Sequence, residues 1–378
     1  MMKKGLLTLM ACCMLGTVLH ADAAATDVLV DALYEQNGGN VVVSELSVNM
    51  ALALLLEGAD GSTREQLEEY LGCTAEECRK QAEEILSKAS ASASVTLNIA
   101  NSIWYENAME ISPDYEQIVT DSYLAELCAI DFSDSAAAAE TINSWCEEAT
   151  NGLIPEIVVE DSLSDAVSVL ANALYFSSMW REVFTETQTD TFYGYEEEYD
   201  ILMMTGAGTY YCETDAATAF IKYYNDGYAF VGILPKKEGE FDLADFDLDE
   251  LLATKTDDYE VEIGLPEFSV DYSADLCAVL PELGLTDIFT SEADLTGVSE
   301  DLYVSSLLHK TSITVDAEGT EAAAATAATM LTGSITVEEK EVKTVYLNRP
   351  FAFATVDMDS NTVLFMGKIT EPDEVTEE

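Results

Sequence analysis

Apolar and polar positions alternate in two different regimes along this chain. In the first 150 residues the apolar spacing is mostly helical. Asp27 to Gln36 predicts a short helix ending at Gly38-Gly39, and Ser47 to Glu57 a strongly apolar helix closed by Gly58. Between Gly39 and Ser47, Val41 to Val43 reads as a short strand. Thr63 to Leu71 follows as a helix, with Ser62 as N-cap and Glu65 three residues on, the spacing of a capping box. Asn101 to Tyr105 predicts a strand, Pro113 to Leu124 a helix, and Ala136 to Ala149 a helix that stops before Asn151-Gly152.

Beyond that point the balance shifts toward strands. Ser168 to Tyr175 is a continuous apolar run, as expected of a strand buried on both faces. Further strands are predicted over Phe220–Tyr224, Tyr228–Leu234, Glu260–Leu265, Ile313–Val315, Thr344–Leu347, Phe351–Asp357 and Val363–Lys368. Helices come first and strands later, without regular alternation. This order predicts an α+β fold with mixed or antiparallel sheets in one domain. No internal repeat and no Pro/Gly/Ser linker divides the chain.

The first 25 residues depart from this picture. Lys3 and Lys4 precede an apolar stretch from Gly5 to Leu19, followed by Ala21, Ala23, Ala24 and Ala25. A positive start, a short apolar core and a small-residue end predict a secretory signal over residues 1–25, and therefore an extracellular protein. The apolar stretch is short for a membrane span, and no later run is long enough, so no transmembrane helix is expected. Leu9-Met10-Ala11-Cys12 leaves a lipid-anchored cell-surface form through Cys12 as the alternative. After cleavage six cysteines remain. Only Cys73 and Cys78 lie close in sequence, and export would permit a disulfide between them; buried thiols are expected for Cys128, Cys146, Cys212 and Cys277.

Composition narrows the function by exclusion. The 378 residues hold 16 Lys+Arg against 72 Asp+Glu, a formal net charge of −56, which argues against nucleic acid as a partner. With 48% hydrophobic residues the chain is nonetheless rich enough to build a core rather than stay disordered. His309 is the only histidine outside the signal, where His20 lies, so a multi-histidine metal site is excluded and no metal or cofactor is expected. No G-x-S-x-G elbow accompanies it, so catalytic residues are not assigned.

One segment stands out against the acidic background. Gly319 to Ser334 reads GTEAAAATAATMLTGS and carries a single charge, Glu321. Locally its alanines favour a surface helix or linker. Read at period two, Thr320, Ala322, Ala324, Thr326, Ala328 and Met330 share one face and are all small or apolar, while Glu321, Ala323, Ala325, Ala327 and Thr329 share the other. Such a strip could be a loop that later enters a sheet, with Gly319 as a permissive hinge.

With these residues in view the chain resembles a serpin, a family of serine protease inhibitors. The run Asp316-Ala317-Glu318-Gly319-Thr320-Glu321-Ala322-Ala323-Ala324-Ala325 is similar to the hinge of inhibitory serpins. Asn143-Ser144-Trp145, Asn172-Ala173-Leu174-Tyr175-Phe176 with Trp180, Leu265-Pro266-Glu267-Phe268, Leu283-Gly284-Leu285-Thr286-Asp287, Leu347-Asn348-Arg349-Pro350-Phe351 and Leu364-Phe365-Met366-Gly367-Lys368 resemble other family motifs in the same order. The resemblance implies helices plus three β-sheets with an exposed reactive-centre loop at about 318–343. It implies a single domain over 26–372, leaving an acidic tail at 373–378. Ser47, Asn172 and His309 match the polar cluster where the large sheet opens (the shutter), and Trp180 matches the breach where the loop first inserts. The family usually has Ser-Pro-x-Ser before the second helix, and Ser44-Glu45-Leu46-Ser47 departs from it.

By resemblance the protein is not an enzyme but a suicide substrate. A target protease, serine or alternatively cysteine, attacks the loop, and the freed segment inserts before the acyl-enzyme hydrolyses. The family's usual distance from Gly319 places the attacked bond at Gly333-Ser334, with Met330, Leu331 and Thr332 as alternates. No Lys or Arg lies between Gly319 and Glu339, so elastase-like, subtilisin-like or chymotrypsin-like targets are expected. A monomer is expected. The alternative is a non-inhibitory serpin acting as carrier or chaperone.

Overall fold

Burial explains the first strong helix: in Glu45–Leu56 all 12 residues are buried, with Ser44 as N-cap accepting a hydrogen bond from the Ser47 amide. An apolar run with a polar cap at its start is enough to specify such an element. This computed structural model describes residues 23–92, 94–164, 166–320 and 340–375. In chain order the elements are α1 (Ala23–Asn37), β1 (Val41–Val43), α2 (Glu45–Leu56), α3 (Gly61–Leu71), α4 (Ala75–Ala91), β2 (Val95–Glu106), α5 (Pro113–Tyr123), β3 (Glu126–Ile130), α6 (Ser135–Ala149), β4 (Ser168–Met179), β5 (Glu186–Tyr193), β6 (Glu198–Gly208), β7 (Tyr210–Glu213), β8 (Ala217–Tyr223), β9 (Tyr228–Pro235), α7 (Leu248–Ala253), β10 (Glu260–Pro266), β11 (Phe268–Asp275), β12 (Ser306–Val315), β13 (Gly319–Thr320), β14 (Val342–Tyr346), β15 (Phe351–Asp357) and β16 (Thr362–Ile369).

The strands of the described residues form three sheets, as the α+β expectation requires. The large sheet has the order β11-β12-β13-β4-β2-β3, the second β1-β16-β15-β9-β8-β7 and the third β14-β10-β6-β5. The main core lies between the large and second sheets, and α2 runs through it. A smaller apolar cluster sits on the other face of the large sheet. There Ala138, Ala139, Ile142 and Cys146 of α6 pack on Val169, Ala171 and Ala173 of β4 and Leu308 of β12.

Two local expectations need correction. The N-cap of α3 is Asp60, not Ser62; the Ser62 hydroxyl instead donates to Asp287 at 2.7 Å, because α3 docks against that segment. The capping box occurs one helix later, where Thr74 and Glu77 exchange side-chain and backbone hydrogen bonds at the start of α4. Glu45 does not disrupt α2, whose first turn forms with Glu45 buried. Cys73 and Cys78 form a disulfide across that Thr74 cap. Of the other cysteines, Cys146 and Cys212 are buried thiols, each pushed up to about 12 by burial, whereas Cys128 and Cys277 are only half-buried. Among the described residues no helix is long and apolar enough to cross a membrane, and no group of acids, cysteines and histidine suits a metal ion.

Candidate functional site

The large sheet is closed along part of its length and parted at one end. Residues Ser306 to Thr311 of β12 pair directly and in parallel with Val169 to Leu174 of β4. Above that join the two strands separate, and β13 fills the gap: Thr320 pairs antiparallel with Val315 on one side and with Ser178 on the other, where Gly319 faces Met179. Glycine is required at 319, since a Cβ there would lie 2.3 Å from the Ser178 carbonyl oxygen. The segment is folded into place by Asp316, whose carboxylate accepts from the Glu318 and Gly319 amides at 2.8 and 2.9 Å. An aspartate bonding its own backbone two and three residues on is a standard turn device.

Trp180 anchors the same turn from β4's side. Its indole N–H donates to the Asp316 carbonyl at 2.8 Å and its amide to the Glu318 carbonyl at 3.0 Å. Beneath it, the Tyr224 ring stacks on the indole with centroids 4.2 Å apart, and the Tyr224 hydroxyl meets Thr320 Oγ1 at 2.6 Å. Lys222 lies close by, its ammonium 4.4 Å from the Phe184 ring centroid, and burial pulls its pKa down to about 8.

Lower down, where β4 and β12 are joined, a second polar group spans the sheet. His309 and Asn172 are register partners, as are Asn101 of β2 and Asn172. His309 Nδ1 lies 2.6 Å from Asn172 Oδ1, while His309 Nε2 accepts the Ser44 amide at 3.2 Å. These contacts assign the neutral ring with its proton on Nδ1. Burial pushes the imidazole down to about 3, so it stays neutral. The Asn172 amide donates to Ser47 Oγ at 2.6 Å and Asn101 Oδ1 at 2.7 Å, tying β2, β4, β12 and the start of α2 into one buried network. Thr311 extends it, donating to the Val42 carbonyl at 2.8 Å.

The structure thus brings Ser47, Asn172 and His309 into direct contact and places Trp180 with Gly319 and Thr320 some residues above them. It does not describe Glu321, Ala322, Ala323, Ala324 or Ala325 of the hinge, nor Met330, Leu331, Thr332, Gly333 and Ser334 around the attacked bond. Asn101, Tyr224 and the turn-forming role of Asp316 were missed from sequence. Asn101 was open to detection as a polar residue in a buried strand; Tyr224 was not, because only the tertiary packing turns its hydroxyl toward Thr320.

Comparison with known proteins bears on this arrangement. The family model described as "Serpin (serine protease inhibitor)" matches residues 21–372. The chain is 33% identical over 352 residues to an uncharacterised serpin-like protein of Thermococcus kodakarensis, covering 89% of this chain and 82% of that one. It is 32% identical over 368 residues to the leukocyte elastase inhibitor of Sus scrofa, covering 91% and 96%. Among solved structures, the thermophilic serpin Tengpin in its native state matches with a TM-score of 0.82 at 30% identity, covering 92% of this chain and 94% of that chain.

Proposed function

This chain belongs to the serpin family, and from that premise we propose that it is a suicide-substrate inhibitor of serine proteases that accept small or apolar residues at the cleaved bond. The observation that carries the reading is the wedge of Gly319 and Thr320 between β4 and β12 above a closed join. Once freed by cleavage, a loop that extends the strand begun at that wedge would run downward between β4 and β12, opening the join as it goes. Continuing the antiparallel register from Thr320 opposite Ser178, Thr326 would come opposite Asn172 and Met330 opposite Ser168, the first residue of β4. Cleavage at Gly333-Ser334 would free enough chain to reach that end; Met330, Leu331 and Thr332 are the alternate sites.

The chemistry then follows in order. The protease serine attacks the loop carbonyl, the bond to the following residue breaks, and the loop is left as an acyl ester. Insertion breaks the β12–β4 pairs and the His309–Asn172 contact from the top down and exchanges them for longer antiparallel pairing. Strand addition of this kind, familiar in serpins, carries the tethered protease away from its reactive geometry before water attacks the ester. The inserting strip suits the site: its even-numbered residues would face the main core beside Leu174 and Asn172, and all are small or apolar. The lack of Lys and Arg from residue 320 to 339 disfavours trypsin-like targets, whose acidic pocket would find no partner. We place the mature protein outside the cell on the strength of its N-terminal segment and the Cys73–Cys78 disulfide, and propose that it acts as a monomer.

The test is incubation with elastase, subtilisin, chymotrypsin, trypsin and a papain-like cysteine protease. A covalent complex that survives SDS is expected with one or more of the first three, and the mass of the released fragment gives the bond. Simple cleavage by all of them, with no complex and no gain in heat stability, would favour a non-inhibitory carrier or chaperone instead.

A further inference from the structure

We propose that Tyr224 is a positioning residue for loop insertion: its hydroxyl seats Thr320 in the large sheet of the uncleaved protein and so sets the register in which the rest of the loop follows. The inference rests on the inhibitor reading above and adds the part that starts the insertion.

The hinge is held at several points, but they divide into two kinds. Trp180, Phe184 and Asp316 hold the turn itself: the Trp180 amide on the Glu318 carbonyl, the Phe184 amide on the Ala317 carbonyl at 3.1 Å, and the Asp316 carboxylate on the Gly319 amide. These contacts fix residues 316 to 319 and do not reach the side chain of the first residue with a core-facing Cβ. That side chain, Thr320, is fully buried, and it is Tyr224 that meets it. Tyr224 is itself closely packed. Its ring is fully buried between Trp180, stacked at 4.2 Å, and Phe176, edge-on at 5.4 Å. Its backbone bridges to Trp180 across the sheet boundary. This packing sets where the phenol oxygen lies, and Thr320 must come to it.

Withdrawing Thr320 into solvent would hydrate its own hydroxyl but leave the buried Tyr224 hydroxyl without its partner, which favours the seated form. Seating matters because the first pair is the hardest to form: it closes a loop entropically, whereas each later residue extends an existing edge. Insertion races hydrolysis of the acyl-enzyme, so a seated start shifts the race toward trapping. A hinge without the contact would more often lose it and be released as cleaved product.

The experiment uses the full-length protein with Tyr224→Phe, Thr320→Val and the double variant, each shown to be folded by its melting transition. The quantity read is the number of inhibitor molecules consumed per elastase molecule trapped. It should rise about five-fold in either single variant, with no further rise in the double variant, and the rate of loop cleavage should stay the same. A second readout needs no protease: in the uncleaved protein, amide exchange in the peptide from Asp316 to Thr320 should quicken in both single variants. Unchanged consumption in folded Tyr224→Phe or Thr320→Val overturns the proposal, whether or not exchange changes. If the wild type traps no protease at all, the inhibitor reading fails separately. Exchange alone then decides whether Tyr224 seats the hinge, and unchanged exchange overturns it.

Discussion

His309 shows how much one residue can couple. It joins β12 to β4 through Asn172 and to the start of α2 through the Ser44 amide, and it does so only as a neutral ring. Its folded pKa of about 3 lies below the usual 6.5 because burial penalises the charge. The sign follows directly: below pH 6.5 the unfolded chain takes up a proton that the folded protein refuses. Stability is therefore full above pH 6.5 and falls as the pH drops toward 3, at up to about 1.4 kcal/mol per pH unit. We expect the urea midpoint to fall between pH 7.5 and 5. His309→Gln should begin less stable and show a flatter profile; an equally steep profile in the variant would remove His309 as the cause. At this scale the sequence named Ser47, Asn172, His309 and Trp180, because matching motifs carry their identities. It did not name Asn101 or Tyr224, whose roles depend on which hydroxyl or amide faces which partner.

For an element, what matters is which face of a strand meets which neighbour. In the register of β13 on β4, Thr320 and Ala324 would face the core beside Ser178 and Leu174, while Ala323 would point outward beside half-buried Tyr175. Ala325 would come beside Ala173, beneath α6. A charge on the core face must be desolvated for insertion, whereas one at 323 can stay in water. Thr320→Arg and Ala324→Arg should therefore each raise the inhibitor consumed per protease by about tenfold or more, leaving the protein a substrate, and Ala323→Arg should change it less than about twofold. Equal losses at 323 and 324 would show that the loop does not insert in this register. The strongly apolar elements, α2, β4, β15 and β16, were legible within a few residues. The helix α4 was missed although Ala75, Cys78, Ala82, Ile85 and Leu86 recur at helical spacing and face the core; its three fully buried positions are small residues, so the stripe carries little bulk. Strand β5 escaped because Glu, Thr, Gln and Asp fill nearly all of it and only Phe192 is buried.

The whole molecule must be metastable if it works as proposed, with an uncleaved sheet that has room for one more strand. Inserting residues 321 to 330 would add antiparallel pairing along both β4 and β12. At a net gain of about 1 kcal/mol per residue, this should raise the melting temperature of the loop-cleaved form on the order of 20 °C above the intact form. Differential scanning calorimetry of the two forms checks this, and equal melting temperatures would mean that cleavage releases no stored energy. The net charge of −56 has no part in that step, since the inserting strip carries only Glu321. By itself the sequence determined the α+β class, the order of the main elements, the period-two strip with its uncharged even-numbered face and the acidic composition, because all of these are set by local composition and spacing. Only the tertiary structure decided that β4 and β12 are joined below and parted above, that Thr320 is already buried against Tyr224, and that Asn101 completes the His309 network. Those contacts link residues far apart in the chain, and no local pattern encodes which distant partner a buried hydroxyl or amide will meet.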